Sequence, residues 1–188
     1  MALTPAQLTR RLFVCLALAL LPALSFAQAL TPAQVTTLRT AILADGALAP
    51  KCSPAGDNPT DIALAFNTSA APAFTVWKTN VPIAAVGIAF NSTELAGLTT
   101  ANTSRLQAIA QYSGGSFNPS QPDVRTGFDS VYSGAGGVNT RSALLILWKR
   151  TSTRAEKLFA VGTGSDASPA TMTFEGLLST GDVIRACP

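Results

Sequence analysis

A single, mainly helical domain with room for one short two-stranded β pairing is the fold class this sequence predicts, and three observations predict it. Thr31-Pro32-Ala33-Gln34 reads as a helix start: threonine caps, proline takes the first helical position, and glutamine three residues on completes a capping box. From Asn139 to Phe159, residues Leu144, Leu147, Trp148, Thr151, Ala155 and Leu158 recur at steps of three and four, the spacing of one buried helical stripe. Between residues 28 and 188 no linker or shift of composition divides the chain, so this stretch is expected to form one domain.

Residues 1–27 have the layout of a cleavable secretion signal. Arg10 and Arg11 supply the positive region, Leu12 to Leu24 the apolar core, and Ser25-Phe26-Ala27 the small residues before the cut, which places the mature start at Gln28. The apolar core is too short for a spanning helix and is broken by Pro22. Thr9 to Val14 also resembles a twin-arginine motif, but so hydrophobic a core suits the general secretory route better. The expected location is therefore periplasmic or extracellular, with membrane contact only through the signal before cleavage.

The elements then follow in order. Val35, Leu38, Ile42 and Leu48 give the first helix its apolar stripe, and Gly46 stops it. Residues 50–60 form a loop, after which Asp57 or Asn58, then Thr60, cap a short helix through Ile62, Leu64 and Phe66. Ala73 to Lys78 is the best strand candidate, with Phe74, Val76 and Trp77 as β-formers. Val81-Pro82 opens a short helix to about Phe90, and residues 93–112 hold one or two more. Asp123 to Tyr132 is a further helix, 139–159 the longest, and 162–169 a loop. Thr171 to Phe174 is expected to pair with the Phe74–Trp77 strand, and Asp182 to Arg185 to form a last helical turn.

Removing the signal deletes Cys15 and leaves Cys52 and Cys187, an even pair that reads as a disulfide in an exported chain. No Cys-x-x-Cys spacing suggests redox chemistry. The chain has no histidine, which excludes Ser-His-Asp and Cys-His catalysis and any imidazole zinc site. No cofactor and no metal are expected. Eleven basic and ten acidic residues remain after cleavage, and with no stacking aromatics among the cations nucleic-acid binding is not expected.

The strongest surface feature is the basic side of the 139–159 helix. Arg150, Arg154 and Lys157 fall at i, i+4 and i+7, with Lys149 and Arg141 nearby, against only Glu156. It is the expected contact face for a protein partner, with self-association included. Gly162-Thr163-Gly164-Ser165-Asp166 has the glycines of a phosphate loop but neither its lysine nor its strand-to-helix setting, so it reads as a plain loop. Asn67, Asn91 and Asn102 each begin a glycosylation triplet, read as chance in a Ser/Thr/Asn-rich chain.

Several stretches carry a family resemblance. They are Phe74-Thr75-Val76-Trp77-Lys78-Thr79-Asn80-Val81, Glu94-Leu95-Ala96-Gly97-Leu98-Thr99, Ser133-Gly134-Ala135-Gly136-Gly137, Leu147-Trp148-Lys149-Arg150, Arg154 through Ala160, Gly162 through Asp166, and Thr173-Phe174-Glu175-Gly176. On these, residues 29–186 resemble a family of small proteins of unassigned activity from tailed-phage and prophage genomes. The resemblance labels a family and carries no activity or site with it; together with the missing catalytic toolkit it makes a non-enzymatic, virion-associated or surface role the leading expectation. This chain departs from the family pattern by its export signal and its cysteine pair, which points to work outside the cytoplasm. Two other readings stay open: a secreted hydrolase of cell-wall or surface polysaccharide using carboxylates alone, and an intracellular virion component with an uncleaved N-terminus.

Overall fold

The computed structural model describes residues 29–52 and 58–188. Residues 1–27, expected to be a secretion signal, lie outside the described residues, as does Asp57. Helix α1 (Pro32–Ala44) begins on the expected capping box: Thr31 Oγ1 accepts from the Gln34 N–H, and the Gln34 side chain accepts from the Thr31 N–H at 2.9 Å. Its Leu38 and Ile42 are fully buried. The backbone turns extended at Asp45, and a 3₁₀ turn, Ala49–Lys51, leads to Cys52. Helix α2 (Pro59–Asn67) is capped by Asn58 and buries Ile62, Ala63 and Phe66.

Strands β1 (Thr75–Trp77) and β2 (Val81–Pro82) precede helix α3 (Ile83–Ala89). The stretch 93–112 is two helices, α4 (Ser92–Ala96) and α5 (Thr100–Tyr112), divided at Gly97, with Thr99 capping the second through the Asn102 N–H. Strand β3 (Ser116–Phe117) and helix α6 (Pro122–Val131) follow.

The expected long helix over 139–159 is not continuous. Helix α7 (Val138–Trp148) ends where Lys149 turns extended, strand β4 (Lys149–Thr151) follows, and helix α8 (Arg154–Leu158) restarts. The cause is tertiary: β4 pairs antiparallel with β1 in the register Thr75↔Thr151, Val76↔Arg150 and Trp77↔Lys149. Flanking bonds extend the ladder, from the Lys78 N–H to the Trp148 carbonyl and from the Ser152 N–H to the Phe74 carbonyl. Thr153 then caps α8 in a second capping box with Glu156.

The expected partner of β1 is corrected by the same pairing. Strand β6 (Thr171–Met172) pairs with β5 (Ala160–Val161) and reaches β1 only through a parallel bridge, Val76↔Ala170. Helix α9 (Thr180–Ala186) starts earlier than expected, on Ser179, with Asp182 closing a third capping box.

Two cores result. The first joins α1, α2, α8 and α9 around Leu38, Ile42, Phe66, Phe159, Phe174 and Val183. The second joins α3, α6 and α7 around Val86, Phe117, Phe128, Tyr132, Leu144 and Trp148, with Phe128 edge-on to both Phe117 and Trp148. Trp77 belongs to the second core, whereas Val76 joins Ala170 and Met172 in a small cluster of its own. A Cys52–Cys187 disulfide, with Cα atoms 5.1 Å apart, ties the end of the first turn to the cap of α9. Beside it Leu30 is held from both sides, its N–H by Asp182 and its carbonyl by Arg185.

Candidate functional site

The break at residue 149 disperses the predicted basic face. Arg141, on α7, donates to the Tyr132 carbonyl at the end of α6. Lys149 pairs with the exposed Asp166 at 2.9 Å. Arg154 bonds Asp45 at 2.8 Å and lies 5.0 Å over the Phe66 ring. Lys157 sits 5.5 Å over Phe74. The five cations do not share one helix face: strand geometry at 149–151 turns Lys149 and Arg150 away from it, and only Arg154 and Lys157 stay neighbours, one turn apart on α8.

Arg150 faces inward. Its guanidinium makes two 2.7 Å bonds to Glu156 and one of 3.2 Å to Glu175. Glu156 is only 2% exposed and also accepts from the Thr153 N–H at 2.9 Å and the Gly176 N–H at 3.1 Å. Burial pushes the Glu156 carboxyl up, but the Arg150 guanidinium and the two backbone donors outweigh it and hold the group below its ordinary range. Arg150 is correspondingly raised, first by its bonds to Glu156. Glu175 in turn accepts from the Thr79 hydroxyl. These residues lock β4, α8, the 173–176 segment and the turn after β1 together.

The carboxylates have structural duties elsewhere too. Glu94 reaches across to the start of α7, accepting from the Asn139 N–H at 2.9 Å and the Thr140 N–H at 2.8 Å. Desolvation raises its carboxyl, yet these bonds bring it below the usual range. Asp182 is lowered in the same way: burial raises it, while Ser179, Arg185 and the Leu30 N–H pull it down. Arg150 brings Glu156 and Glu175 together, and Glu156 is tuned opposite to a general acid, which needs a raised pKa. The three glycosylation-triplet asparagines also have internal partners. Asn67 exchanges bonds with the Leu178 backbone, Asn91 caps α4, and Asn102 donates to the Val131 carbonyl. The 162–169 loop is mostly exposed and is anchored at the buried Gly164, whose carbonyl accepts from the Thr75 N–H at 2.7 Å.

Sequence patterning did not single out the outer surface of α3 and α7. These two helices pack on each other, with Val86 of α3 and Leu144 and Trp148 of α7 in the second core. Their outward sides are apolar: Ile88 is 86% exposed and Ile146 75%, with Ile83, Val138 and Leu145 also exposed. Helix α3 carries no charged residue, and α7 carries only Arg141. Large apolar side chains exposed on two helices that pack together make this a candidate contact surface. The available signal was the run Ala143 to Trp148, apolar on every side of a helix whose core needs only one.

No family model, no curated protein and no solved structure matches the chain.

Proposed function

We propose that the chain is an exported, non-enzymatic protein of phage or prophage type that works by protein contact, and that its contact face is the apolar outer side of α3 and α7. The exposure of Ile88 and Ile146 on two adjacent, almost uncharged helices carries this reading. The disulfide accords with folding in an oxidising compartment. The resemblance to tailed-phage proteins points the same way. The basic residues are a poor contact surface, because Arg150 and Arg154 already hold ion pairs within the fold.

The partner we assign to the face is a second copy of the chain. A face whose one cation, Arg141, is turned to the Tyr132 carbonyl meets itself with little like-charge cost, and a two-fold pairing buries both apolar sides at once. Sedimentation velocity of the secreted protein at micromolar concentration tests it. Wild type is expected as a dimer or larger, and Ile88→Asp/Ile146→Asp as a monomer with an unchanged far-ultraviolet circular dichroism spectrum. A monomeric wild type would overturn the assignment.

A further inference from the structure

On the opposite core, a trough runs between α1 and α8. One stretch, about 350 Å³, is lined by Thr36, Thr37, Thr40, Ala41 and Ala44 of α1 and by Leu158 of α8. Through Ala41 and Leu158 it adjoins a second hollow of about 470 Å³, lined also by Phe66, Arg154 and Lys157. The threonines make the first stretch look polar in sequence, but each hydroxyl is committed to its own helix. Thr36 donates to the Pro32 carbonyl at 3.2 Å, Thr37 to Ala33 at 3.1 Å and Thr40 to Thr36 at 3.0 Å. Methyl groups are what remain to offer a ligand.

The second hollow is cationic. Asp45 accepts from one amine nitrogen of Arg154, leaving the rest of that fork without an acceptor among the described residues. Lys157, one turn further along α8, has the Phe74 ring beside it and no carboxylate partner among the described residues. Apolar walls that end at two neighbouring cations are complementary to a chain that is greasy along its length and anionic at its tip.

We propose that this trough binds an anionic amphiphile, an unbranched alkyl chain ending in a free carboxylate, with the carboxylate between Arg154 and Lys157 and the chain along Ala41, Thr40 and Leu158. The site is on the first core, so it stands or falls independently of the α3–α7 contact face.

Calorimetric titration of the secreted protein with dodecanoate below its micelle concentration tests it. One molecule is expected to bind per chain, dodecyltrimethylammonium is expected to bind at least about tenfold more weakly, and Lys157→Glu is expected to weaken dodecanoate by about tenfold, as removal of a charge-assisted bond requires. Lys157 is half-buried and its side chain makes no hydrogen bond among the described residues, so this variant is expected to keep its structure, which an unchanged melting temperature verifies. Equal binding of the two amphiphiles, or unchanged binding by Lys157→Glu, overturns the proposal. So does binding to anionic phospholipid vesicles without binding of free dodecanoate, which would assign the cations to a membrane surface, and so does binding of an apolar peptide carboxyl terminus in preference to dodecanoate.

Discussion

Opening the disulfide isolates the largest single contribution the fold receives from a covalent link. Cys52 and Cys187 are 135 residues apart, and the chain-entropy relation converts a closed loop of that size into about 5 kcal/mol at 25 °C. The fold adds little strain to offset this, since the linked segments are already neighbours: α9 packs on both α1 and α2, and Leu30 is fastened to Asp182 and Arg185 beside the link. Against a total stability of about 5–15 kcal/mol, the loss is decisive. Cys52→Ala/Cys187→Ala should therefore unfold in urea with a stability lower by about 3–5 kcal/mol, the lower figure allowing for structure retained in the denatured chain. The slope of the transition should steepen, because the uncrosslinked denatured state exposes more surface. A loss below about 1 kcal/mol with an unchanged slope would refute the loop-closure account.

Other perturbations probe other parts of the account. Glu156→Gln leaves Arg150 without its strongest partner and should cost about 2–3 kcal/mol by urea titration, at the low end for a buried pair because Arg150 is 28% exposed. Since Glu156 has a lowered pKa in the fold, its stabilisation is complete above the unfolded carboxylate value and fades as pH falls through the folded one. The acid limb of the stability curve should thus be shallower in Glu156→Gln than in wild type. Tyr132 is pushed up to about 12, first by burial and then by the Glu94 charge, so stability held below pH 10 should fall as pH rises from 10 to about 12. An absorbance titration in which both tyrosines ionise at pH 10 in the folded state would contradict that. At Gly137 an added Cβ would lie inside contact distance of the Tyr132 carbonyl, so Gly137→Ala should lose about 2 kcal/mol or more in thermal unfolding. Mass spectrometry of the secreted chain should find Gln28 as its first residue.

Local signals carried much of the fold into the sequence. The Thr31 capping box, the Leu38–Ile42 stripe and the Phe74–Trp77 strand depend on neighbours within a few residues, and each occurs where its pattern places it. The 139–159 stretch does not, because its apolar period runs through residues whose conformation is fixed by a strand some seventy positions earlier. Thr153-x-x-Glu156 was the local mark of a new helix start, masked by the continuing period. The fate of the cations was illegible for the same reason. Arg154 finds Asp45 across 109 positions, and only the folded chain shows that Arg150 turns inward. The outer face of α3 and α7 is legible only in part: a helix apolar all round states that one side will be exposed, without saying which.

Ser142 lies on the exposed side of α7, between Val138 and Ile146 along the helix, where a single label reports on the contact face. A nitroxide attached to Ser142→Cys, with the native disulfide intact, should give a short interchain distance by pulsed electron paramagnetic resonance, and dilution with unlabelled protein should remove it. Absence of any interchain coupling at the concentration where wild type sediments as a dimer would contradict the contact face itself.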